Sequence, residues 1–164
     1  MRSDPTTTSP SDSRIVLPRA TRPQTFTALM SLYESNFVRL GFLLGNLDEL
    51  GGYYQSRVNE NLTLHASVQD VQRYTTTFRM TYWFDDGNER VADPDLEVRV
   101  YHDARLAEAM SCFSAPRRDV LRPFDLEVGD ELQRRWTLNT MLNKWLEYCI
   151  DLGHRFERSA PGNE

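Results

Sequence analysis

Apolar residues change their period along this chain, and each change marks an element. Phe26, Leu29, Met30, Tyr33, Phe37, Leu40 and Leu44 recur at three- and four-residue spacing, one stripe of an amphipathic helix. Pro23 suits its first turn, Thr21 its cap, and Gly45 its stop. The period then drops to two. In NLTLHASV, Leu62, Leu64, Ala66 and Val68 alternate with Thr63, His65 and Ser67. In YTTTFRMTYWF, Tyr74, Thr76, Phe78, Met80, Tyr82 and Phe84 share one side, and Thr75, Thr77, Arg79, Thr81 and Trp83 take the other. Such alternation, rich in β-branched and aromatic residues, predicts half-buried antiparallel strands. YYQSRV predicts a shorter strand before them, and DDGNERVADPD, residues 85–95, reads as a polar connection with Gly and Pro.

Residues 114–129 carry prolines and arginines without clear period and read as a loop. From about Asp130 the helical period returns through Leu132, Trp136, Leu138, Met141, Leu142, Trp145, Leu146, Cys149 and Leu152, with Gly153 as the stop. The order predicts an α+β domain: an antiparallel sheet of about four to five strands with an N-terminal and a C-terminal amphipathic helix packed on it. That domain spans 22–155, between a Ser/Thr/Pro-rich tail at 1–21, too polar to order itself, and a frayed end at 156–164.

Residues 96–111 leave two geometries open. In LEVRVYHDARLAEAM, Leu96, Val98 and Val100 alternate with polar residues up to Tyr101-His102-Asp103. One long strand would set His102 and Glu108 about 20 Å apart, at roughly 3.3 Å per residue. A reversal at Asp103-Ala104 would instead oppose Arg99 with Glu108, and Val98 and Val100 with Ala109 and Ala107. Against the reversal stands the lack of a glycine at the turn.

Charge narrows the partners. A net charge of −5 and a pI near 5.3 oppose attraction to phosphate backbones and anionic membranes, so neither nucleic acid nor membrane is an expected partner. No apolar run approaches the ~20 residues of a bilayer span, and the N-terminal stretch lacks the apolar core of a secretory signal, giving a cytoplasmic expectation. Cys112 and Cys149 fit no disulfide framework or zinc spacing and read as buried small apolar residues. His65, His102 and His154 sit in no ligand motif, and no glycine-rich phosphate loop or GxSxG elbow is present, so neither metal nor cofactor is expected. Arg117, Arg118, Arg122, Arg134 and Arg135 interleave with Asp119, Asp125, Glu127, Asp130 and Glu131, which describes a solvated mixed surface better than an anion pocket.

YESNFVRL at 33–40, RYTTT at 73–77, VRVYHDARLAEA at 98–109 and LNKWLEYCIDLGH at 142–154 together resemble the YqiB-like family of small proteobacterial proteins of unknown function. The resemblance spans about residues 24–155 and brings no catalytic residues with it. Its matched polar positions mark Glu34, Asn36, Arg73, Tyr74 and Tyr101, with Trp83 added from the strand pattern, as candidate ligand- or partner-binding residues. Asn36 and Glu34 serve equally well as ties between helix and strand ends. His102, Asp103 and Glu108 are the weak catalytic candidates; neighbouring strand residues point to opposite faces, so a working His–Asp pair needs an irregular backbone. Two functions follow: a protein-interaction or regulatory module using an exposed Trp83 surface, or a small enzyme or ligand-binding protein acting on a polar metabolite at the Tyr101-His102-Asp103 bend. The second requires His102, Arg73 and an acidic side chain to converge around a pocket.

Overall fold

The first helix, α1, runs Phe26–Leu44, and Thr25 rather than Thr21 caps it: the Thr25 side chain accepts a hydrogen bond from the Ala28 amide at 3.1 Å. The structure, a computed structural model, describes residues 25–59, 62–113 and 131–159. The tail at 1–21, Pro23, the loop at 114–129 and the last residues of the C-terminal stretch lie outside those described. A 3-10 turn at Leu47–Glu49 follows α1. Then come β1 (Tyr53–Asn59), β2 (Leu62–Val71), β3 (Thr75–Asp86), β4 (Glu89–Tyr101), β5 (Leu106–Cys112), α2 (Glu131–Asp151) and β6 (Glu157–Ser159). All sheet neighbours pair antiparallel in the order β5-β4-β3-β2-β1-β6.

The architecture is α+β as the periods indicate, but with six strands instead of four to five. The added strand, β6, comes from the stretch read as frayed and pairs Tyr54 with Arg158. Gly153, at φ 88°, ends α2 and turns the chain. The Phe156 amide then bonds the Leu43 carbonyl at 2.8 Å and the Arg155 amide bonds Ser56 Oγ at 3.0 Å, which carries the chain onto the open edge of β1.

Residues 85–95 are likewise no loose connection. Gly87 and Asn88 form a two-residue turn between Asp86 and Glu89, with Gly87 at φ 64°, and both strands run on to it. Pro94 falls where the register shifts, one of the few strand positions where a missing amide hydrogen is tolerated. Residues 87–90 are exposed, so this hairpin end needs no apolar alternation.

The stretch 96–111 reverses. Val98 pairs Ala109, Arg99 pairs Glu108 and Val100 pairs Ala107. Arg105 takes the left-handed conformation, φ 55°, that the turn would otherwise require of a glycine.

Both helices cover one face of the sheet. Leu40, Leu43, Leu142, Trp145 and Leu146 bury against Leu64, Phe78, Met80, Tyr82, Leu96, Val98 and Val100. The small Ala107 and Ala109 let the helices approach β5, whose outer edge they satisfy: Asn36 Nδ2 donates to the Ala107 carbonyl, and Asn139 bonds both the amide and the carbonyl of Ala109. Phe26 and Tyr74, placed by parity on buried sides, are exposed, because one begins α1 and the other precedes β3.

Candidate functional site

The hairpin tip sends its polar cluster in three directions. His102 docks under the tip. Its amide donates to the Tyr74 carbonyl at 2.9 Å, and its ring Nε2 lies 2.9 Å from Thr76 Oγ1. Its Nδ1 lies 3.1 Å from Asp48 Oδ1, off the line of a straight hydrogen bond. Asp103 is exposed, and its carboxylate accepts from the neighbouring Ala104 amide. Tyr101 turns to the face away from the helices, where its hydroxyl donates to Glu108 Oε1 at 2.5 Å. His102, Asp103 and Glu108 therefore do not converge.

Glu108 is buried although it belongs to the outer face, because Tyr33 and Arg135 reach round the β5 edge to it. Arg135 Nη1 lies 3.4 Å from its Oε2, and Arg135 Nε donates to Glu131 at 2.6 Å. The Tyr33 hydroxyl lies beside Glu108 and Arg135 without a well-aligned bond; burial, then the Glu108 carboxylate, raises its pKa above the ordinary phenol value. A buried carboxylate answered by one hydroxyl and one guanidinium serves as a structural tie across the sheet edge.

Open space lies on the other side of the tip. A groove of about 350 Å³ runs between Phe37, Val38, Gly41 and Phe42 on α1, the turn holding Asp48, and Arg105 on the hairpin. Its α1 wall is apolar and solvent-facing: Val38 is 57% exposed and Phe42 61%. The Arg105 guanidinium lies 5.1 Å from the centre of the Phe37 ring. A methyl group built on Gly41 would meet nothing within 4 Å. Asp48 joins this groove to His102, so the bend does border a concavity, though through an acid far away in sequence.

The other singled-out residues scatter. Glu34 is exposed on α1. Asn36 is buried, donating to Asn139 Oδ1 and accepting from Asn143 Nδ2, which makes it a tie between the helices. Arg73 stacks on Tyr74 with its guanidinium 5.1 Å from the ring centre, and lies outside the groove lining. Trp83 is half-buried on the outer face under the Arg90 guanidinium. Arg134 and Arg135 pair with Glu131, whereas Arg117, Arg118 and Arg122 fall outside the described residues. Burial pushes the Cys149 thiol up to about 12, far from nucleophilic. Ser56, His154 and Tyr82 form a buried chain, with Ser56 Oγ 2.9 Å from His154 Nδ1 and the Tyr82 hydroxyl 3.1 Å from Nε2. All three are almost wholly enclosed, so the chain fastens α2's end to β1 and β3.

Sequence reasoning missed Val38, Gly41, Phe42, Asp48 and Arg105. A signal existed for the first three: Val38 and Phe42 put apolar side chains four apart off the main stripe of α1, beside a glycine within the helical pattern.

Among the described residues no helix is long and apolar enough to cross a membrane, and no three His, Cys, Asp or Glu side chains gather as a metal site. No solved structure matches the chain. The chain is 29% identical over 135 residues to the uncharacterized protein YqiB of Escherichia coli K12, covering 78% of this chain and 90% of that protein. The same figures hold for the YqiB proteins of Escherichia coli O6:H1 and O157:H7. The family described as protein of unknown function (DUF1249) matches residues 39–155, across the last six residues of α1, the sheet through β5, and α2. By that match the chain belongs to the DUF1249 family, whose model spans most of its length.

Proposed function

We propose that this protein is an interaction module that binds a segment of another protein in the groove between α1 and the β4–β5 tip. The observation that carries the reading is the pair Val38 and Phe42, more than half exposed on a helix whose other large side chains are mostly buried, beside a concavity of about 350 Å³. Contiguous solvent-facing apolar surface next to a cleft, rimmed by charged side chains, is what partner-binding surfaces offer. The surface first expected, around Trp83, is a weaker candidate because Arg90 lies over that ring. The enzymatic alternative draws less support: Asp48 meets His102, but Arg73 stacks on Tyr74 instead of entering the groove, and Glu108 is engaged on the other face.

A random-sequence peptide library displayed on phage and selected on the full chain tests this reading. Selected peptides should bind Phe42→Asp at least about tenfold more weakly, a loss of roughly 1.4 kcal/mol, with the variant's melting temperature unchanged. Peptides that bind wild type and variant equally, or a selection that enriches nothing, would overturn it.

A further inference from the structure

Gly41 lies in the last turn of α1, where the described fold does not require a glycine. Glycine inside a helix is destabilising relative to alanine, and is usually kept for a left-handed backbone or a close neighbour. Gly41 has neither. The glycines at positive φ are Gly45, Gly52, Gly87 and Gly153, and an added Cβ at Gly41 would meet nothing within 4 Å. What the missing side chain does provide is depth: Gly41 lines the groove between Phe37 and Phe42. The groove lies at the small end of the range for ligand cavities, of a size for one bulky side chain rather than a large cofactor.

The charges at the rim are unequal. Asp48 keeps a largely exposed carboxylate, with His102 Nδ1 3.1 Å from Oδ1. Two carbonyls at the end of α1, where the helix dipole would repel an anion, are capped: Gly41 O by the Gly45 amide at 2.9 Å and Leu43 O by the Phe156 amide at 2.8 Å. Arg105 is the basic residue of the lining. Among the described residues its guanidinium meets the Phe37 ring and no carboxylate. It is held there by a left-handed backbone, φ 55°, that L side chains rarely adopt and that clusters at binding sites.

Resting on the docking reading above, we propose that the groove takes a bulky apolar side chain, seated over Gly41, from an acidic segment of a partner protein whose carboxylate pairs with Arg105. The apolar side chain supplies most of the affinity, and the exposed ion pair supplies preference.

Three short synthetic peptides, acetylated and amidated, test it by backbone-amide NMR at millimolar concentration. One carries glutamate next to phenylalanine among alanines, the second replaces the glutamate by glutamine, and the third replaces the phenylalanine by alanine. The first should shift the amides of Gly41, Phe42 and Arg105. The second should bind about three- to fivefold more weakly, a difference that high salt removes, and the third should not bind. Arg105→Gln should erase the difference between the first two. Gly41→Leu should abolish binding, while Gly41→Ala raises the melting temperature by about 2–4 °C and keeps a folded control. Equal binding of the first two peptides, binding undiminished in Gly41→Leu, or no shift at the groove with any peptide would overturn the inference. If display-selected peptides remain sensitive to Phe42→Asp in those cases, the docking reading survives without it. If they do not, both fall.

Discussion

Gly41 and Glu108 show opposite ways in which single residues depart from local preference. Gly41 weakens α1 and leaves space, so Gly41→Ala should stabilise the fold by about 0.5–1 kcal/mol, seen as a higher urea midpoint at unchanged slope. An unchanged or lower midpoint would mean that a neighbour already fills that space. Glu108 sits 5% exposed between the Tyr101 hydroxyl and Arg135. Truncation to alanine leaves the phenol without its acceptor and frees a half-exposed guanidinium to return to water. Glu108→Ala should therefore cost about 1–3 kcal/mol of stability in the same assay. A neutral result would show that the cluster is not the tie described above. His102, by far the most conspicuous residue in the sequence, anchors the tip to Thr76 and borders Asp48.

Elements carry the pH response, because β6 and the end of α2 hang on a buried histidine. Ser56 Oγ accepts the Arg155 amide and lies 2.9 Å from His154 Nδ1, and the Tyr82 hydroxyl lies 3.1 Å from Nε2. Protonating the ring would put a charge in an enclosed site, and that burial holds the His154 pKa below the ordinary imidazole value. His65 is lowered too, by burial first and then by Arg90. Below about pH 6.5 the unfolded chain takes up protons that the folded one refuses, so stability present above that pH falls as pH drops. Urea unfolding at pH 7 and pH 5 should give a lower stability at pH 5, and His154→Asn should flatten that slope; equal stability at the two values would contradict the assignment. Asp95 acts later in the same direction: burial raises it, but Arg79 and Thr81 outweigh burial and hold it below the usual carboxylate range, so its contribution goes only as pH falls below about 4. The elements also mark where pattern reading works. The three-four spacing of α1 and the parity of Val98 and Val100 carry the information because one side of each is buried. Residues 85–95 and β6 escaped it because exposed hairpin ends and a three-residue edge strand are held by backbone pairing, which leaves no apolar period to read.

At the scale of the molecule, one face of the sheet is closed by two helices and the other is a polar surface of mutually paired side chains. Arg79 grips Asp95, Arg99 donates to Thr77, Ser111 to Glu97, and Tyr53 meets His65. Such a face keeps its polar groups partnered within the sheet, and it places Trp83 among them. The unmatched surface lies instead past the helix-covered edge, where α1 outruns the hairpin tip. That juxtaposition joins positions 41, 48 and 105, which no local spacing relates, so the site could emerge only with the fold. The two faces make the central claim directly testable: take a display-selected peptide and measure its Kd against wild type, Phe42→Asp and Trp83→Ala. Binding should weaken at least about tenfold in Phe42→Asp and stay unchanged in Trp83→Ala. Loss in Trp83→Ala with none in Phe42→Asp would put the docking surface on the outer face and contradict the account.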